Sequence, residues 1–156
     1  MLAVERVLLS SRRQLWPLAG LGPEQDRTGP AQSTVTIMVV DDDERARWVT
    51  ARMLRDEGYQ VIEAQSGEQA LERLADAGQV QIVLADIAMP GGMNGVELAE
   101  KVLAEAPWRR VVLMSGYDRL FPKLGSMEAR LPLLMKPFTA GQLIQQMGDV
   151  LNGELH

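Results

Sequence analysis

The chain has 156 residues, 46% hydrophobic and 24% charged, with 16 Lys plus Arg against 21 Asp plus Glu for a net charge of -5. That length suits one well-buried domain, and the acidic balance without a basic stripe argues against nucleic acid as a direct partner. The lack of cysteine excludes disulfides, thiolate metal sites and a cysteine nucleophile and is compatible with a cytoplasmic protein, while no apolar run reaches the ~20 residues of a membrane helix.

Residues 1 to 33 read as a flexible N-terminal tail and linker. A short helix with Val4, Val7 and Leu8 on one face is possible before a Gly/Pro-rich stretch from Ala19 to Ser33. Ser11-Arg12-Arg13-Gln14-Leu15 is similar to a twin-arginine export signal, but the apolar segment after it is short, is broken by Pro17 and lacks a small-residue cleavage site. The tail reading is therefore preferred.

From Thr34 the pattern is regular. TVTIMVV (34 to 40) predicts a strand ending on Asp41-Asp42-Asp43, and a helix follows from about 44 to 57, with Ala46, Val49 and Met53 inward and a stop at Gly58. YQVIEA (59 to 64) is a second strand. Ser66 opens a helix with the Ser-x-x-Gln of a capping box and Ala70, Leu71 and Leu74 facing the core. Gln81, Ile82, Val83, Leu84 and Ala85 read as a strand covered on both faces, because there is no polar alternation and β-branched residues are present, and Asp86 sits where it yields to Met89-Pro90-Gly91-Gly92. Met89 and Met93 read as loop packing.

Asn94 caps a helix whose inner face is Val96, Ala99, Val102 and Leu103, ended before Pro107. Residues 110 to 114 are a fourth strand ending at Ser115-Gly116. Asp118 to Arg130 make a poor helix, interrupted by Pro122 and Gly125. LPLLMKP is a fifth strand ending at Lys136-Pro137, and Thr139 caps a last helix with Leu143, Ile144, Met147, Val150 and Leu151 inward. Trp48 and Trp108 are expected to cover helix faces, and His156 has no assigned role. Strands alternating with helices imply an α/β fold: a doubly wound five-stranded parallel sheet, order 2-1-3-4-5, with right-handed crossovers and helices on both faces.

In such a sheet, polar residues that end separate strands converge on one edge. Those residues are Asp41 and Asp42 after strand one, Asp86 after strand three, Ser115 after strand four and Lys136 after strand five; strand two ends without one. Carboxylates crowded there need a cation, and hard oxygen ligands without His or Cys suit Mg2+ shared with a phosphate. Lys136 adds a point charge and Ser115 a hydroxyl donor, equipment for stabilising phosphoryl oxygens. One carboxylate beyond the metal ligands is free to act as nucleophile, so the pattern describes phosphoryl transfer onto an aspartate.

Four pieces, VVDDDERAR, ADIAMPGGMNGVEL, VVLMSGY and LLMKPF, stand in the order and spacing of the receiver domain of two-component response regulators. The domain, 34 to 153, resembles that family, whose fold is flavodoxin-like (CheY-like). The resemblance implies that Asp86 is the phosphoacceptor, and that Asp41, Asp42, Asp86 and the backbone carbonyl of Ala88 hold Mg2+. It implies that Ser115 is the switch hydroxyl, that Lys136 pairs with the phosphate, and that the Lys136-Pro137 bond is cis. The donor is then a phosphohistidine on a histidine kinase or histidine phosphotransfer protein, and Ala88 and Tyr117 tune water access to a slowly self-hydrolysing acyl phosphate.

Two features depart from the family pattern. Leu133 stands where Tyr or Phe is common, so the aromatic rotamer switch does not carry over and signalling falls to loop and backbone. The loop after Pro90 is one residue longer than usual, similar to receivers attached to hybrid sensor kinases. The weak fourth helix disfavours the dimer surface of many transcriptional regulators, and the end at His156 suggests a stand-alone receiver with an unknown output partner. Two rivals remain. One is an aspartyl-phosphate hydrolase of the haloacid dehalogenase type, with Asp41 and Asp43 as its DxD; the other is a phosphorylation-independent docking module. Asp43 otherwise reads as a first-turn residue of the helix.

Overall fold

A computed structural model describes residues 34–116 and 130–153. The expectations for the tail, for Tyr117, for the interrupted helix through residue 129 and for His156 lie outside the described residues. The described elements run β1 (Thr36–Val40), α1 (Glu44–Asp56), β2 (Gln60–Ala64), α2 (Gly67–Asp76), β3 (Val80–Asp86), α3 (Gly95–Glu105), β4 (Arg110–Ser115), β5 (Leu133–Met135) and α4 (Ala140–Leu151). The strands form one five-stranded parallel sheet in the order β2-β1-β3-β4-β5, as the sequence predicts.

Alternation along the buried strands sends side chains to two cores. Met38, Val40, Val83, Ala85, Val111 and Leu113 meet Ala70 and Leu74 of α2 and Ala99 and Val102 of α3. Ile37, Val39, Ile82, Leu84, Val112 and Met114 meet Leu54 of α1 and Leu143, Met147 and Val150 of α4. The helices therefore sit as α2 and α3 on one face, α1 and α4 on the other. Met89 is buried and Met93 half-buried against the first of these cores, the packing roles expected of them.

Local chemistry fixes the helix ends. The Asn94 side chain accepts from Glu97 N while Glu97 returns the bond, and Thr139 and Gln142 repeat the arrangement at α4. Gly58, at φ 106, donates to Arg55 O while Tyr59 donates to Leu54 O, ending α1 in a left-handed cap. At α2, Ser66 accepts from Gln69 N, but the Gln69 side chain reaches Gln65 N rather than closing the predicted box on Ser66.

Two packing expectations are corrected. The inner face of α1 is Thr50, Ala51 and Leu54, with Val49 exposed and Ala46 and Met53 only half-buried. Arg47 and Thr50 occupy inward positions, so the polar residues there mask the apolar period. Trp48 and Trp108 do not cover helix faces: they are 55% and 56% exposed, with the Arg52 and Arg109 guanidinium groups over their rings.

Gly95 positions the site through a close approach. A Cβ there would lie 2.9 Å from both Asp86 C and Ile87 Cα, and nearer still to the Asp86 carbonyl oxygen. These are backbone atoms that cannot swing aside. Gly95→Ala is expected to destabilise the fold by ~2 kcal/mol despite alanine's better helix propensity, read as a lower urea midpoint. An unchanged midpoint would show that α3 can back away from the end of β3.

Candidate functional site

The carboxyl edge of the sheet gathers the predicted residues. Asp41 follows β1 and is 0% exposed; Asp86 is the last residue of β3 and Ser115 the last of β4, and both are buried. Asp42 is exposed beside them. One carboxylate oxygen from each of Asp41, Asp42 and Asp86 lies within 4.8 Å of the others. Lys136, just past β5, brings its Nζ to 2.8 Å from Asp41 Oδ2 and 3.2 Å from Asp86 Oδ2.

The backbone sets these positions. Asp41 Oδ1 accepts from Asp43 N at 3.0 Å, and Asp86 Oδ1 accepts from Ala88 N at 3.2 Å. Lys136 N donates to Ser115 O at 2.8 Å, which ties the lysine to the end of β4. The Lys136-Pro137 bond is cis, as the resemblance implies.

Asp43 is placed apart from the cluster. Its side chain caps α1, accepting from Arg45 N at 3.0 Å and Ala46 N at 3.2 Å. It is the N-cap rather than a first-turn residue, and the acidic grouping with Asp41 does not include it. Asp41, Asp42 and Asp86 are the grouping of acids that could hold an ion among the described residues.

Burial pushes the Asp86 carboxyl up to about 6 against the pull of Lys136, and the Asp41 charge adds to the rise. Burial alone would lower Lys136, but its bond to Asp41 and the charges of Asp86 and Asp41 outweigh that and hold it above its ordinary value. With three carboxylates facing one ammonium, the edge has an excess of negative charge. All its donors are oxygens, with no His or Cys, which fits a hard divalent cation.

A supporting residue was missed in the sequence. Arg47 Nη1 donates to Asp41 O at 2.9 Å and its Nε to Glu63 Oε1 at 3.2 Å, so β2 does supply a carboxylate behind the site. Glu63 reads as an ordinary exposed strand residue until α1 is laid against β2. No helix among the described residues is long and apolar enough to cross a membrane.

Residues 37–147 match the family model for the response regulator receiver domain. The chain is 29% identical over 148 residues to the sensor kinase CckA of Brucella abortus, covering 94% of this chain and 16% of that protein. It is 30% identical over 109 residues to the DNA-binding transcriptional regulator NtrC of Escherichia coli, covering 69% of this chain and 23% of that one. The chain thus spans under a quarter of the length of these relatives.

Among solved structures, a CheY-like receiver domain protein of Methanospirillum hungatei matches with a TM-score of 0.70 and 29% identity over 78% of this chain and 96% of that one. The response regulator TrrA of Thermotoga maritima, in complex with Mg(2+)-BeF, matches with a TM-score of 0.67 and 28% identity over 75% and 99%. The sheet order, the edge occupied by acids and lysine, and the matched family model agree: the chain belongs to the response regulator receiver domain family.

Proposed function

We propose that this domain accepts a phosphoryl group on Asp86 from a phosphohistidine of a histidine kinase or histidine phosphotransfer protein, as one step of a cytoplasmic two-component phosphorelay. The observation that carries the reading is the placement of Lys136 Nζ between Asp41 and Asp86 at the carboxyl edge of the sheet. Asp41, Asp42, Asp86 and the backbone carbonyl of Ala88 would hold Mg2+. Bound there, the ion offsets carboxylate repulsion and draws charge from phosphoryl oxygens.

An Asp86 carboxylate oxygen attacks phosphorus while the P–N bond to the donor imidazole breaks and its electron pair stays on the ring nitrogen. Lys136 exchanges its contact with Asp86 for a phosphoryl oxygen, and the Ser115 hydroxyl donates to another. Water later attacks phosphorus and releases phosphate, restoring the carboxylate. That step is slow because Ala88 offers no side-chain group to position the water. The activity is self-phosphorylation and autodephosphorylation only, without turnover of a separate substrate.

Leu133 is half-buried against the core shared by α2 and α3, so no aromatic rotor stands there and the response falls to loop and backbone. Incubation with acetyl phosphate is expected to give a hydroxylamine-labile product that EDTA prevents. A product equally abundant in EDTA, or resistant to hydroxylamine, would contradict an acyl phosphate formed at this site.

A further inference from the structure

The loop between β3 and α3 begins just past Asp86 and carries Ala88, and its middle leans on α2. At its ends it is tied by Ile87 N to Met114 O at 2.8 Å and by Gly95 N to Ile87 O at 3.0 Å. Between Met89 and Met93, one described hydrogen bond leaves the loop: Met93 N donates to Glu68 Oε2 at 3.2 Å. Glu68 belongs to the first turn of α2, where its charge also suits the helix N-terminus.

Two glycines make this contact possible. A Cβ on Gly67 would stand 2.9 Å from Met93 Sδ and 3.0 Å from its Cβ, so the bare backbone of α2 is the seat for that side chain. A Cβ on Gly92 would stand 3.1 Å from Glu68 Oε2. Gly91, at φ 88, lets the loop turn toward them. The lengthened loop is thus docked by one carboxylate and one methionine onto a helix that contributes nothing to the acidic cluster.

We propose that Glu68 is a positioning residue for the site: through Met93 N it clamps the loop, and so sets how the backbone at Ala88 is presented beside Asp86. The inference rests on the Mg2+ reading given above. Loss of the clamp frees the loop from α2 and weakens metal binding without touching any carboxylate of the cluster.

The test uses the full chain as wild type, Glu68→Ala, Glu68→Gln and Gly67→Ala. Hydrogen exchange of the segment 88–94 in EDTA and calorimetric titration with Mg2+ are the two readouts. Glu68→Ala is expected to speed exchange at Met93 and to weaken Mg2+ binding, each by about fivefold, the scale of one lost solvent-exposed hydrogen bond. Glu68→Gln keeps an acceptor oxygen and should stay within about twofold of wild type on both readouts. Gly67→Ala should unseat Met93 and follow Glu68→Ala.

Exchange and affinity unchanged in Glu68→Ala would overturn the clamp, as would a Glu68→Gln variant as impaired as the alanine. A wild-type protein that binds no Mg2+ would instead overturn the reading of the acidic cluster, and the exchange data would still report whether the clamp exists.

Discussion

Lys136→Met is expected to lower stability by about 3 kcal/mol in EDTA at pH 7.5, because it leaves the buried Asp41 and Asp86 carboxylates facing each other without their cation. For a domain of this size the drop in Tm should be on the order of 10 °C. Two conditions should restore much of the loss: addition of Mg2+, and a fall in pH that lets Asp86 take a proton. A methionine variant as stable as wild type at every pH would mean that Lys136 does not balance this cluster. The variant should also accept phosphoryl poorly, since the point charge beside Asp86 is gone.

Asp86→Asn has the opposite sign on stability and a complete effect on chemistry. The Asp86 carboxyl sits at about 6 in the folded protein against an ordinary 3.8, so the folded state holds a proton that the unfolded state releases. Its stabilising contribution is fully present below the ordinary value and is lost as pH rises through about 6. The Lys136 shift lies above its ordinary value, so its contribution stays constant across this range.

In EDTA, wild type should therefore lose stability between pH 5 and pH 7.5 by about 1 kcal/mol, allowing for the solvent-open side of the site. The asparagine variant should show no such fall and be the more stable protein at pH 7.5. Urea unfolding at the two pH values measures this; equal slopes for both proteins would remove Asp86 as the titrating group.

Much of the site was legible because each member interrupts a pattern. Asp86 and Ser115 end apolar runs, Asp41 and Asp42 follow one directly, and Lys136 stands between an apolar run and a proline. Strand order follows from the alternation of strands with helices and from the one strand, β2, that ends without a polar side chain, on Ala64. What was misread depends on contacts between segments far apart in sequence.

Arg47 points inward because Glu63 and Asp41 O receive it, and a polar residue on the core side hides the helical period. Gly95 looks like a loop glycine until α3 is pressed against the Asp86 carbonyl. The Glu68 contact spans 25 residues and joins two elements whose apolar patterns carry no sign of it.

The most direct test of the phosphoacceptor is intact mass after incubation with Mg2+ and acetyl phosphate, for wild type and Asp86→Asn side by side. Wild type should gain the mass of a single phosphoryl group and the asparagine variant none. Equal labelling of the variant would contradict the assignment of Asp86, and an unlabelled wild type that still binds Mg2+ would show the fold serving as a docking module without the phosphoryl switch.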